Sequence, residues 1–138
     1  MISLIVGKKG LGKTKKLVDM ANGAVQNSNG NVVFIEKGNK LTYDVNHDVK
    51  LVNTAVYGIT SFESLFGFIC GIYAENYDVT DIFVDSTLKI GGEDFEIFED
   101  FIKKVSRVLD STDINLVFSV SSDRSELPKD IEKFTKII

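Results

Sequence analysis

A stretch near the amino terminus combines the residue types and the spacing that bind phosphate. Residues 7–14 read Gly-Lys-Lys-Gly-Leu-Gly-Lys-Thr and fit the pattern G-x-x-x-x-G-K-[ST]. Its glycines allow successive backbone N–H groups to point toward an anion. The Lys13 ammonium suits the outer phosphates, which makes it a catalytic candidate, and the Thr14 hydroxyl suits Mg²⁺. The residues expected to bind the phosphates are Gly7, Lys8, Lys9, Gly10, Leu11, Gly12, Lys13 and Thr14.

The residues on either side predict the elements that such a loop requires. Residues 1–6 form a short apolar run with β-branched members, typical of a buried parallel strand. After the loop, apolar residues recur from Leu17 to Val25 at the spacing of one helix face. The loop therefore leads into a helix N-terminus, whose partial positive charge stabilises an anion. A Gly/Lys-rich turn without a ligand is the alternative.

The rest of the chain alternates between predicted strands and helices. Apolar runs predict strands at 32–35, 50–53, 82–85 and 115–120, and a short last strand within 134–138. Helical patterns begin after Ser61, a plausible N-cap, and near Glu93. Pro128 suits the first turn of a short helix. We expect one domain over residues 1–138, an α/β fold of three αβα layers with a mostly parallel sheet of five or six strands.

Composition excludes several classes of function. The net charge of −4 and the pI of about 5.0 provide no overall basic field for nucleic acid or anionic lipid. Cys70 is the only cysteine, which excludes an intrachain disulfide, and its apolar neighbours predict burial. The apolar segment 62–74 is too short to span a bilayer, and close helix packing is the preferred interpretation of its Gly67 and Gly71. Because no signal peptide is evident, we expect a cytoplasmic protein.

A second segment could complete the phosphate site with a metal ligand. Residues 82–85 read Ile-Phe-Val-Asp, an apolar strand that ends in a carboxylate. Mg²⁺ prefers oxygen ligands and is commonly held by one or two carboxylates together with phosphates. Asp85 and Thr14 are therefore the candidate Mg²⁺ ligands. The alternative for Asp85 is a turn or a helix cap.

Both segments resemble the Walker A and Walker B motifs of the P-loop NTPase superfamily. The resemblance implies a three-layer αβα P-loop NTPase fold in which the strand ending at Asp85 lies beside the P-loop strand, with its Asp on Mg²⁺. Many P-loop ATPases have a water-activating Glu after that Asp, but this chain has Ser86. Glu36 and Asp123 also follow predicted strands, and ligands bind at that edge of open α/β sheets. Glu36 is the first candidate for positioning water, and a solvated strand-end charge is its alternative.

Residues 7–14 are also similar to the deviant Walker A of the cell-division and partitioning ATPases, G-K-G-G-x-G-K-[ST]. That resemblance implies a dimer in which Lys8 reaches the partner's phosphates. Lys9 departs from the pattern because it replaces a glycine. Two solvated loop lysines are the alternative. Over nearly its full length, the chain resembles small bacterial ATP-binding proteins, some of which carry a twitching-motility (PilT-like) ATPase label.

The predicted ligand is ATP with Mg²⁺. Residues 119–123 read Ser-Val-Ser-Ser-Asp and lack the [NT]-K-x-D pattern with which GTP-binding members read guanine. The predicted function is a Mg²⁺-dependent ATPase with slow hydrolysis. The alternative is a nucleotide-dependent dimerisation or regulatory module with negligible hydrolysis. Arg107 and Arg124 are the only arginines, which argues against a kinase, and Arg124 either contacts the nucleotide or lies on the surface.

Overall fold

Six strands form a single sheet in which every neighbouring pair is parallel. The computed structural model describes all 138 residues. The strand order is β3-β2-β4-β5-β1-β6. The predicted α/β fold with a mostly parallel sheet of five or six strands is therefore confirmed. The strands are β1 (Ile2–Gly7), β2 (Asn31–Glu36), β3 (Lys50–Asn53), β4 (Val79–Val84), β5 (Asn115–Ser121) and β6 (Lys136–Ile137).

Four α-helices and three 3-10 turns connect the strands. The helices are α1 (Lys13–Asn27), α2 (Phe62–Glu75), α3 (Thr87–Gly91) and α4 (Phe95–Leu109). The 3-10 turns span Thr54–Tyr57, Arg124–Glu126 and Ile131–Lys133. Ser61 caps α2 as predicted, because its hydroxyl accepts the Ser64 N–H at 3.0 Å.

The sheet has helices on both faces because each strand turns alternate side chains to opposite sides. Phe34 and Phe83 pack with Leu17 and Ala21 of α1. Their strand neighbours, such as Ile35, join the larger core under α2 and α4. None of the helices is long and apolar enough to cross a membrane. The result is three layers with the carboxyl ends of all strands at one edge.

The strand order corrects one expectation about the site. The strand before Asp85 is not beside β1, because β5 lies between β4 and β1. The register pairs Val84 with Phe118 and Ile5 with Ser119. The next residue of β5 after Phe118, Ser119, therefore lies between Asp85 and the strand that carries the phosphate loop.

Four local predictions also need correction. The chain forms the separate short helix α3 before α4, and Gly92 (φ 104°) separates the two. Pro128 lies in a turn before the 3-10 segment rather than in a helix. Gly67 and Gly71 are exposed, and a Cβ atom at either would meet nothing within 4 Å, so the close-packing interpretation is wrong. Cys70 is only partly buried, and that burial raises the pKa of its thiol.

Candidate phosphate and metal site

The loop between β1 and α1 presents backbone N–H groups that have no partner within the chain. Gly10 and Gly12 adopt left-handed backbone angles, with φ of 88° and 80°, which glycine adopts without a steric penalty. None of the N–H groups from Lys9 to Gly12 donates a hydrogen bond in the protein. The first hydrogen bond of α1 runs from the Lys16 N–H to the Gly12 carbonyl at 3.1 Å. Loop and helix amides are thus both free to bind an anion.

Lys13 places a buried ammonium beside these amides. Its side chain is 8% exposed, and its Nζ donates to the Lys8 carbonyl at 2.9 Å. Burial lowers the pKa of Lys13, and the charge of Asp85 partly opposes that effect. The other N–H donors of this ammonium have no partner in the chain, so they remain available for phosphate oxygens.

Thr14 and Asp85 meet directly, as the sequence predicts for two ligands of one metal. The Thr14 hydroxyl lies 3.1 Å from both carboxylate oxygens of Asp85. Thr14 is in the first turn of α1, and Asp85 immediately follows β4. The two side chains offer oxygen atoms only, which is the ligand chemistry of Mg²⁺.

Ser119 fixes the Asp85 carboxylate from the other side. Its hydroxyl donates to Asp85 Oδ1 at 2.7 Å and accepts the Ser86 N–H at 2.7 Å. Ser86 (φ 52°) is the only residue other than glycine with a positive φ. Sequence reasoning missed Ser119. The available signal was a hydroxyl inside an otherwise apolar strand, where a polar group needs a partner.

Glu36 is buried at the same edge rather than solvated. It is 4% exposed, and its Oε2 accepts the Leu41 N–H at 3.2 Å. Burial raises the pKa of Glu36; the backbone N–H groups of Leu41 and Lys40 oppose this rise, and the charge of Asp85 adds to it. The loop after β2 therefore folds back over this carboxylate.

Two adjoining cavities collect most of the predicted site residues. The larger, about 760 Å³, is lined by the phosphate loop and by residues from β5, α3 and the loops beside them. The smaller, about 370 Å³, lies around Thr14, Asp85 and Glu36. Thr14, Ser86 and Lys89 line both. The predicted phosphate-binding residues that line the larger cavity are Lys8, Lys9, Gly10, Gly12, Lys13 and Thr14.

The remaining candidate residues either lie outside the two cavities or make hydrogen bonds within the surrounding loops. Gly7 and Leu11 do not line either cavity, and the Leu11 side chain is exposed. Asp123 lines the larger cavity and caps the 3-10 turn through the Ser125 N–H. Arg124 pairs with Glu132 at 2.7 Å outside both cavities.

Comparison with solved structures identifies the fold. The flagellar accessory protein FlaH from Methanocaldococcus jannaschii matches with a TM-score of 0.60 and 13% sequence identity, over 96% of this chain. The chain has a P-loop ATPase fold. It spans 65% of the length of FlaH. No protein-family model and no curated protein matches the sequence.

Within this P-loop ATPase fold, the loop after the first strand and the carboxylate after the fourth come together at one edge. At 13% sequence identity, the comparison shows the fold but does not assign a role to any individual residue. The phosphate and metal roles of individual side chains therefore stay predictions that rest on the geometry of this chain.

The Ser119→Ala substitution is expected to destabilise the protein by about 1–3 kcal/mol. It leaves the Ser86 N–H without its acceptor and Asp85 without a donor. Ser121→Ala is the matched control, because Ser121 is exposed on the same strand and its loss is expected to cost less than about 0.5 kcal/mol. Urea unfolding of both variants measures the difference. Equal stabilities would contradict the proposed support of Asp85.

Glu36 makes the stability depend on pH. Because its pKa is raised in the folded protein, the unfolded chain loses this proton first as pH rises above the ordinary value of 4.5. Wild-type protein is therefore expected to lose stability relative to Glu36→Gln from about pH 4.5 upward, and to match it at lower pH. Urea unfolding across pH measures this. Glu75→Gln, at an exposed position, should follow wild type throughout; parallel Glu36→Gln and wild-type curves would refute the effect.

Proposed function

We propose that this chain binds ATP with Mg²⁺ and hydrolyses it slowly. The observation that carries the proposal is that unpaired loop amides, the Lys13 ammonium and the Thr14–Asp85 pair meet at one edge of the sheet. The P-loop ATPase fold supports nucleotide binding at the level of fold. ATP is proposed over GTP because the sequence lacks the guanine-reading pattern.

In this proposal the chain binds the triphosphate with fixed dipoles and one buried charge. The N–H groups from Lys9 to Gly12 and the N-terminus of α1 donate to phosphate oxygens. Lys13 donates to the outer phosphates, and their negative charge offsets the cost of burying its ammonium. Such positioning and electrostatic stabilisation supply most of the catalysis of phosphoryl transfer.

Asp85 and Thr14 fit Mg²⁺ only as partial ligands. No group of three or more His, Cys, Asp or Glu side chains in the structure could hold a metal ion. Two protein ligands are sufficient for Mg²⁺, because the ion usually keeps several waters and fills its remaining coordination positions with phosphate oxygens. When bound, the ion neutralises charge that develops on the phosphates. We therefore expect metal and nucleotide to bind together.

Slow hydrolysis follows from the side chains around the proposed γ-phosphate position. Ser86 supplies no carboxylate after Asp85, and neither cavity is lined by an arginine. Glu36 lines the same cavity as Thr14 and Asp85, so it is the proposed residue that orients the attacking water. Its raised pKa makes its carboxylate a stronger base than usual once ionised.

Lys13→Met is expected to weaken ATP binding by about 10- to 100-fold, the scale of one or two charged hydrogen bonds. Lys16→Met is the matched control, because Lys16 is exposed on α1 and its substitution removes the same positive charge. Titration calorimetry with Mg-ATP measures both affinities. Equal loss in the two variants, or no binding by wild type, would refute the proposal.

Removal of Mg²⁺ tests the metal role with the same protein. EDTA is expected to abolish ATP turnover by wild type and to weaken its ATP binding. Asp85→Asn should already lack most of the EDTA-sensitive affinity, because its amide is a poorer Mg²⁺ ligand than a carboxylate. An Asp85→Asn variant as sensitive to EDTA as wild type would remove Asp85 from the metal site.

A regulatory module that dimerises on ATP is the second candidate function. It is favoured by Lys8, whose side chain is exposed at the cavity without a partner in the chain, while its carbonyl holds Lys13. Light scattering with a non-hydrolysable ATP analogue is expected to show a doubled mass that Lys8→Ala abolishes and Lys16→Ala preserves. An unchanged wild-type mass would exclude this function.

A further inference from the structure

The smaller cavity has a cationic wall that the proposed roles of Thr14, Asp85 and Glu36 leave unexplained. Lys37 and Lys40 reach it from the loop after β2, and Lys89 reaches it from α3. We propose that these three lysines form a second phosphate-binding subsite beside the P-loop. The inference rests on the proposed nucleotide site, which it extends by one phosphate group.

The charges of this subsite are available for a ligand. Lys37, Lys40 and Lys89 are exposed, and none of them forms an ion pair with an acidic side chain of the chain. The two carboxylates of the cavity are buried and already accept hydrogen bonds, Asp85 from Thr14 and Ser119, and Glu36 from Leu41. No hydrogen bond or ion pair within the chain occupies these ammonium groups, although the charge of Lys40 acts on Glu36 from a longer distance and partly opposes the rise in its pKa that burial causes.

Hydrogen bonds anchor the backbone of both segments that carry the lysines, whose side chains are exposed. The loop that carries Lys37 and Lys40 is fixed at one end by Asn53 Oδ1, which accepts the Gly38 N–H at 2.9 Å. At its other end, Glu36 Oε2 accepts the Leu41 N–H. Lys89 belongs to α3, and the N-cap residue of that helix, Ser86, donates its backbone N–H to the Ser119 hydroxyl. Such preorganisation lowers the entropic cost of binding.

The polar lining favours a phosphate over an apolar ligand. Leu41 is its one apolar residue, and the three ammonium groups are its hydrogen-bond donors without a partner in the chain. The buried carboxylates on its floor repel an anion while the three ammonium groups attract it, so binding requires contact with several of the lysines at once. A phosphate dianion meets this requirement. It can be the terminal phosphate of ATP or a phosphate on a separate molecule.

The test compares two triple variants that change the net charge equally. The subsite variant replaces Lys37, Lys40 and Lys89 with Gln. The control variant replaces Lys50, Lys129 and Lys136 with Gln, and these three lysines are exposed and line neither cavity. Calorimetry with Mg²⁺ present measures the affinity for a non-hydrolysable ATP analogue and for ADP. A second titration adds inorganic phosphate or pyrophosphate to ADP-loaded protein, and a third adds them to nucleotide-free protein.

If the terminal phosphate occupies the subsite, the subsite variant is expected to lose about 10-fold or more in affinity for the ATP analogue, with little change for ADP. If a separate phosphorylated molecule occupies it, both nucleotides bind as in wild type. Phosphate or pyrophosphate then binds ADP-loaded wild type and control, and this binding is lost in the subsite variant.

Equal behaviour of the two triple variants toward the analogue, ADP, phosphate and pyrophosphate would overturn the subsite. If the two variants behave equally but the wild type binds nucleotide, the subsite is refuted and the proposed function is retained. Conversely, lysine-dependent binding of phosphate or pyrophosphate by a wild type that binds no nucleotide would support the subsite while refuting the proposed function.

Discussion

The Asp85 carboxylate is the group on which the arrangement of this edge depends. The carboxylate accepts hydrogen bonds from Thr14 of α1 and Ser119 of β5, and the backbone N–H of Asp85 donates to the Ile35 carbonyl of β2. Each contact comes from a different element, so this residue links the phosphate loop to three strands. Hydrogen bonds to an ionised group are each worth about 1.5–3 kcal/mol. The geometry proposed for metal and phosphate is thus also part of what stabilises the fold.

Local signals account for the parts of the structure that the sequence predicts. The phosphate loop, the apolar strands and the Ser61 cap each depend on residues close together in the chain, so pattern and spacing suffice. The strand order does not have such a signal, because the strands are similar apolar runs. The sequence therefore could not show that β5 separates β4 from β1, nor that this brings Ser119 onto Asp85.

The remaining differences arise from the path of one loop and from which surfaces stay exposed. Glu36 follows a strand like any solvated charge, and it is buried only because residues 37–41 fold back over it. Gly67 and Gly71 have the spacing of a packed helix face, yet that face of α2 has no neighbour. A chain of net charge −4 still gathers exposed lysines around one edge of its sheet, which overall composition conceals.

The left-handed backbone of Ser86 restricts which side chains this turn accepts. For a residue with a Cβ atom, φ of 52° costs about 1–2 kcal/mol. A short polar residue tolerates this conformation better than a long one, and only one small side chain separates Asp85 from α3 here. A glutamate at this position would therefore begin from a strained backbone. The turn places a hydroxyl where many P-loop ATPases have a carboxylate, which leaves the proposed orientation of water to Glu36 at the end of β2.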